Sequence, residues 1–389
     1  MVRCINLLNQ LSKSFEVTII THQQKESFEK ALDLFPDLKQ CRLLSTKSVL
    51  QAKDIFSIAP IKIQKAIRYR YWNRTFFGSA EDHFLLIYPV IREFLKKNKV
   101  DYIILEALFI VHSTSRVIRR FQPEATIIYN AYNVDSLLAE VAWKNHRISH
   151  KEYKFIKRGE SRLFKSVDEI FACSDQDART LNEMNHGKLN TVVVPNGVGI
   201  NEIVPEKQEG GSSVNLNIMF CGSIDYFPNQ EGLKWFCNEV MPLILKKNSL
   251  VRLMVVGRGE PDGELQTLLR SESIDYFGMV DSVEKYYAKA AVAIVPLLSG
   301  SGTRLKLLEA MGNRKAVIST AIGAEGIEYT DQENILIASD KHEFAEAVLN
   351  LLNDKPRADL LSSQAYLLVQ KKYDWNVIGK KLQQHLVKR

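Results

Sequence analysis

One run of the chain concentrates residue types that could do chemistry: Pro296-Leu-Leu-Ser-Gly-Ser-Gly-Thr-Arg-Leu-Lys-Leu-Leu-Glu-Ala-Met311. The apolar residues before it read as a strand, the glycines as a loop, and a helix is expected to start near Thr303. Gly300 and Gly302 would let backbone amides come close to an anion, and a helix N-terminus adds a favourable dipole. Arg304 and Lys306 then project from the first turn, where basic side chains oppose that dipole and gain little as helix stabilisers. They suit two phosphates instead. Glu309 comes about one and a half turns further on and suits a pair of ribose hydroxyls. The competing account is a plain loop followed by an exposed, charged helix face.

Other candidates are weaker. Gly222 suits a strand-to-loop turn where the backbone nears a ligand, and a simple tight turn explains it equally well. Asn229 is expected to cap a helix beginning at Gln230. Asp175-Gln-Asp177 has the form of a metal-binding D-x-D, but Ser174 with Asp177 reads better as a capping box. The stretch Lys62–Arg74 mixes basic and aromatic residues. It would suit an anionic membrane surface or RNA, and a solvated helix accounts for it better than either. No G-x-G-x-x-G occurs at a strand-to-helix turn, which speaks against a dehydrogenase.

Positioning these groups requires a particular scaffold. Short β-branched runs alternate with helical patterns from end to end, the signature of parallel sheets covered by helices. Strands are expected at 16–21, 101–105, 126–130, 169–173 and 191–194, then at 217–221, 252–256, 274–277, 292–295, 316–319 and 335–337. Helices are expected at 231–245, 304–311 and 343–352, among others. The polar stretch from Pro205 to Ser213, with adjacent glycines, is the best linker.

Composition sets the outer bounds. The chain has 389 residues, 46% hydrophobic and 25% charged, with a formal charge of +7. That is enough for two cores, and the mild basic excess suits an anionic partner or simply a solvated surface. The 5 cysteines form no CxxC pair, so neither a disulfide framework nor a zinc site is indicated, and a reducing compartment fits best. No secretory signal is visible. The apolar run Tyr102–Val111 is interrupted by Glu106 and is too short to span a bilayer.

The segment from Pro296 to Met311 resembles the donor site of GT-B glycosyltransferases of family 4, in the bacterial subgroup with a G-x-G-x-R-x-K-x-x-E-A core. Phe220-Cys-Gly-Ser-Ile-Asp-Tyr-Phe-Pro-Asn229 resembles the first strand and loop of that family's donor domain, and Val255-Val-Gly-Arg-Gly259 the next strand end. Tyr276-Phe-Gly-Met-Val280 resembles the loop against the nucleotide base. Val194-Pro-Asn-Gly-Val198 resembles the hinge, and Tyr373-Asp-Trp375 the start of a helix that recrosses to the first domain. Three departures stand out. Ser301 occupies the place where many members have a sugar-contacting Glu. In Tyr129-Asn-Ala-Tyr-Asn-Val-Asp135, Tyr132 takes the place of a His that faces the donor sugar, and a phenol with a pKa of about 10 is a poor proton acceptor. The family's first strand and glycine loop are missing ahead of the opening helix, so either the domain has a different topology or, as expected here, the start lies about 15–25 residues upstream.

The resemblance implies an α/β protein of two doubly wound, Rossmann-like parallel-sheet domains facing a cleft, the GT-B architecture. With the linker above, 1–204 is the acceptor-side domain, 205–372 the donor domain and 373–389 the recrossing helix. It implies transfer of a sugar from a nucleotide-diphosphate sugar to a glycan, lipid-linked or small-molecule acceptor, with retention and without metal or other cofactor. Gly222, Val280, Gly300, Gly302, Thr303, Arg304, Lys306 and Glu309 would hold the donor, and Arg304, Lys306 and Tyr132 would act in catalysis. The expected setting is cytoplasmic, with contact at the inner face of the membrane left open and no nucleic-acid partner. A rival reading is a homologue that binds nucleotide without turnover, favoured by Tyr132 and the missing front. An epimerase is a second rival.

Overall fold

A computed structural model describes residues 2–21, 32, 35–45, 89–200, 215–300 and 304–388. They divide into two compact units, Met1–Val194 with Gly379–Arg389, and Pro195–Ile378. The division comes ahead of the expected linker, and that linker, like Lys62–Arg74, lies outside the described residues.

The second unit is built on six parallel strands in the order β12-β11-β10-β7-β8-β9. In chain order these are β7 (Asn217–Cys221), β8 (Arg252–Val256), β9 (Ile274–Gly278), β10 (Val292–Val295), β11 (Ala316–Ser319) and β12 (Leu336–Ile337). Strand residues alternate between two cores, as a period of two requires. Ile218 and Phe220 enter one core with Phe236 and Phe344, whereas Met219 enters the other with Leu307 and Met311. Val292 and Ile294 follow the first pair, and Ala293 and Val295 the second. Burial on both faces explains why these strands are continuous apolar runs rather than alternating ones.

The helix expected at 231–245 is longer and interrupted: Phe227–Trp235 passes through a π-turn at Phe236–Val240 into Met241–Lys247. Pro242 has no amide to donate within this stretch, which favours a wider turn just before it.

The first unit contains α1 (Val2–Leu11), a parallel pair β1 (Thr18–Thr21) and β2 (Arg42–Ser45), and a four-stranded parallel sheet in the order β3-β4-β5-β6. That sheet comprises β3 (Tyr102–Leu105), β4 (Thr126–Asn130), β5 (Glu169–Ala172) and β6 (Asn190–Val193). Among the described residues β1 pairs only with β2, and β3 only with β4. Ile20 of β1 still packs on the core that holds Leu105, Ile127 and Tyr129. Strand β2 escaped the sequence pattern because Arg42-Leu-Leu-Ser45 has no β-branched residue. α5, the helix Asp175–Met184, is capped by Ser174, whose hydroxyl accepts the Asp177 amide at 3.0 Å; this is the capping reading of the D-x-D.

The helix Trp375–Val387 serves both units, with 375–378 in the second and 379–387 in the first. In the second unit, Val198 and Tyr373–Trp375 exchange backbone bonds, Val198 N to Tyr373 O at 2.9 Å and Trp375 N to Val198 O at 3.3 Å. In the first, Tyr102 donates to Leu386 O at 2.7 Å, Gln383 to Gln10 O at 2.5 Å, and His385 meets the fully buried Glu169 at 3.0 Å. Gly379 lies flat against α1: a Cβ there would fall 2.5 Å from the Gln10 Cβ. Gly379→Ala is therefore expected to destabilise the first unit by about 1–3 kcal/mol, read as a lower urea midpoint. Gln10→Gly, which removes that Cβ, should make the double variant's loss smaller than the sum of the two single losses, and strictly additive losses would show that the contact is not responsible.

Candidate functional site

In an open parallel sheet the strand C-termini share one edge, and the loops there form the natural ligand crevice. Strands β7 and β8 leave that edge together. The Gly222 amide donates to Val256 O at 3.0 Å, Ile224 to Arg258 O at 2.6 Å, and Gly257 to Gly278 O at 2.9 Å. A Cβ on Gly257 would fall on the Gly222 carbonyl, so the strand exit closes only with glycine there. Gly222 in turn faces the next layer: a Cβ would sit 2.9 Å from Lys306 Nζ and 3.0 Å from Asn229 Nδ2.

Lys306 belongs to α10, the helix Leu305–Gly312. Its Nζ donates to Asn229 Oδ1 and lies 4.6 Å from the centroid of the Phe220 ring. Desolvation pushes the Lys306 ammonium down to about 7. Asn229, 3% exposed, sits inside the helix Phe227–Trp235, and its Nδ2 donates to Ser223 O at 2.6 Å. The expected capping role is thus corrected: the helix begins ahead of Gln230, its N-cap Tyr226 makes no side-chain bond, and Asn229 ties Lys306 to the loop after β7. Glu309, one turn along α10, meets the Cys221 thiol and the Tyr287 hydroxyl, and burial raises its carboxyl above the usual range. Burial also raises Cys221 and Tyr287, which keeps both protonated as donors toward that carboxylate.

Arg304 precedes α10 and does not project freely. Only 5% of it is exposed; Nε donates to Ile322 O at 3.0 Å and Nη2 reaches Glu325 Oε2 at 3.1 Å. The sequence reading placed both cations on an open first turn, whereas the structure starts the helix at Leu305 and packs Arg304 inward, because a guanidinium out of water must satisfy its donors. Gly300 has φ +115°, and a Cβ there would come 3.0 Å from Arg304 Nη1. Glycine is needed on both counts. Gly302 and Thr303 lie outside the described residues. Val280 follows β9 and packs half-buried against the core containing Tyr287 and Leu307. The site residues brought together are therefore Gly222, Lys306 and Glu309 around β7, with Gly300 and Arg304 against one another. Sequence reasoning missed Asn229 in this role and Glu325 altogether; Glu325 stands in an ordinary-looking Gly-Ala-Glu-Gly loop.

Tyr132 lies in the first unit, just past β4. Its hydroxyl donates to Glu106 Oε2 at 2.6 Å, and Asn130 Nδ2 donates to the same oxygen at 2.9 Å. Arg3 of α1 completes the cluster through Asn130 Oδ1 at 2.9 Å. Burial, then the Glu106 charge, raises the Tyr132 phenol, so it stays neutral and acts as a donor. The segment carrying Tyr132 is anchored from behind: Glu160, with no exposure, accepts the amides of Asp135 and Ser136 at 2.8 and 3.0 Å, stabilising the start of α3 (Asp135–Lys144). The signal for Glu106 is present in the sequence as a lone carboxylate interrupting the apolar run Tyr102–Val111, one residue past the end of β3.

Two glycines test this geometry. Gly257→Ala should cost several kcal/mol, on the order of 3–5, because backbone cannot step aside as a side chain can. Gly222→Ala meets the ends of two side chains, Lys306 Nζ and Asn229 Nδ2, rather than backbone, so its loss should be smaller, about 1–3 kcal/mol. Equal melting losses in the two variants would contradict the described packing.

Comparison with known proteins bears on the family likeness and the fold. Residues 215–354 match the family described as glycosyl transferases group 1. A protein of the cps region of Klebsiella pneumoniae, uncharacterized and of 44.6 kDa, is 30% identical over 169 residues, which is 41% of this chain and 43% of that protein. The chain thus spans less than half the length of that relative. Among solved structures, sucrose-phosphate synthase from Thermosynechococcus elongatus aligns with a TM-score of 0.70 at 15% identity, covering 100% of this chain and 92% of that one. Anabaena HepE in complex with UDP and glucose aligns with a TM-score of 0.67 at 12% identity, covering 100% and 95%. At such identities the likeness speaks for the fold, which is GT-B. The likeness to the glycosyl transferases of group 1 is carried by residues 215–354, the body of the second unit.

Proposed function

We propose that the chain transfers a sugar from a nucleotide-diphosphate sugar to a hydroxyl acceptor, either a glycan, a lipid-linked saccharide or a small molecule. The observation that carries this reading is the pairing of Lys306 with Asn229 beside Gly222, at the strand edge where Gly300 and Arg304 also meet. Two cations at the C-terminal edge of a parallel sheet fit a diphosphate, and Glu309 fits a ribose diol. The HepE structure holds UDP and glucose, and the Klebsiella relative belongs to a cps region; these favour a uridine nucleotide and a polysaccharide-building role.

In this reading Arg304 and Lys306 stabilise the departing diphosphate, the task that a divalent ion performs in other transferases. Retention of anomeric configuration follows from a front-face substitution: the glycosidic C–O bond to phosphate breaks, the acceptor oxygen bonds to the same face, and the leaving phosphate takes the acceptor's proton. Tyr132, held by Glu106, offers an oriented hydroxyl rather than a base. No helix among the described residues is long and apolar enough to cross a membrane, and the basic stretch proposed for peripheral contact lies outside them.

Calorimetry with UDP and GDP in the presence of a chelator tests the donor assignment. Arg304→Ala with Lys306→Ala should weaken binding by about 2–5 kcal/mol, and unchanged affinity would sink the reading. Tyr132→Phe removes a hydrogen bond to a carboxylate, so stability should fall by about 1.5–3 kcal/mol while sugar transfer persists. A loss of turnover by several orders of magnitude in a folded Tyr132→Phe protein would make that hydroxyl part of the chemistry.

A further inference from the structure

We infer that Asn229 is a positioning residue that couples donor binding to the uptake of one proton at Lys306. The inference rests on the donor reading above and adds a mechanism to it. Its basis is what surrounds the ammonium. From β7 come the Phe220 ring, 4.6 Å away, and the Cys221 thiol; from the helix Phe227–Trp235 comes the Asn229 carbonyl oxygen; and from its own segment come Arg304 and Glu309. The Tyr287 hydroxyl, from the helix Glu284–Lys289, reaches Glu309 and Cys221. Among the described residues no carboxylate lies within ion-pair distance of Lys306, and its hydrogen-bond partner is a neutral amide.

Each neighbour has a consistent effect. An amide oxygen and an aromatic face orient an ammonium without cancelling its charge. Glu309 is engaged by Cys221 and Tyr287, and Arg304 acts as a like charge that disfavours a second cation. The Asn229 side chain cannot drift, because its Nδ2 is held by Ser223 O at 2.6 Å and the residue is 3% exposed. Burial without a carboxylate partner therefore leaves Lys306 holding its proton less firmly than an ordinary lysine, pushed down to about 7. A diphosphate supplies the missing opposite charge and returns the ammonium to the ordinary lysine range. Binding then favours the protonated form, so a proton is taken up when the free site has lost it. Affinity is full below the free-state value and declines as pH rises through it.

UDP and GDP binding, measured by calorimetry between pH 7.5 and 9.5 in buffers of different ionisation enthalpy, tests this. Above pH 7.5 the terminal phosphate of the ligand is already ionised, so uptake reports the protein. Wild type should take up about one proton at pH 8.5 and lose about tenfold in affinity per pH unit. Lys306→Arg keeps the charge at every pH, so its uptake should vanish and its profile flatten. Asn229→Leu preserves volume but removes the oxygen, which should move the onset of the decline down by about one pH unit. Thermal melts of each variant check folding. Wild-type binding with no proton uptake, or the same uptake in Lys306→Arg, overturns the coupling and leaves the donor reading intact. An Asn229→Leu profile matching wild type overturns the role of Asn229. Failure of wild type to bind either nucleotide at pH 6.5 overturns the donor reading and this inference with it.

Discussion

Moving an ammonium out of water costs several kcal/mol unless opposite charge or oriented dipoles replace its hydration. At Lys306 the replacement is one amide oxygen and one aromatic face, and much of the second unit is constrained by keeping them in place. Phe220 packs in the core with Phe236 and Phe344 and still presents its ring to the lysine. Asn229 must lie within a helix rather than at its end. Gly222 cannot carry a side chain, because the ammonium and the amide occupy that space, and Gly257 cannot, because β8 must leave the sheet against the Gly222 carbonyl. A single half-compensated charge thus bears on the residue choices at Phe220, Gly222 and Asn229.

The first unit solves the same problem with the opposite currency. Among the described residues its carboxylates are met by donors: Glu160, with no exposure, by two backbone amides, the half-buried Glu106 by a phenol and an amide, and the buried Glu169 by His385 and Asn190, while the buried Arg3 donates to Asn130. These groups are compensated, so they stiffen the structure around them. Hydrogen bonds to charged groups are the stronger kind, and here they join α1, β3, β4 and the segment of Tyr132 into one network. Tyr132 sets what the network can do: a neutral phenol bonded to a carboxylate holds a shape and offers polarity, but it does not take a proton.

The sheet of the second unit was legible because its strands are short, apolar on both faces and separated by turn residues; β7, β8, β10 and β11 occupy the expected positions. The glycines at 300 and 222 were legible from their place between a strand and a helix. Direction was not. Whether Arg304 points outward or inward depends on Ile322 and Glu325, which follow a different strand, and no local pattern encodes a contact of that range. Asn229 misled for a related reason: Asn favours helix N-caps, and only the tertiary demand of Lys306 explains one turned inward within a helix. Strand β2 lacked β-branched residues, and the contents of 46–88 fall outside the described structure.

The helix shared by the two units bears on how the chain comes into being. Its residues 379–387 seal the first unit against α1, β3 and β5, yet they are synthesised after every residue of the second. On a ribosome the first unit therefore emerges with Glu169 and the face of α1 uncovered, and it keeps them uncovered while the second unit is made. The second unit has all of its own sheet contiguous in sequence and can close as soon as it is released. The order of completion is thereby reversed relative to the order of synthesis, with the N-terminal unit finishing last. Long-range closure of this kind is slow and leaves apolar surface exposed for its duration, which makes the interval between the two events the point at which this chain is most exposed to aggregation.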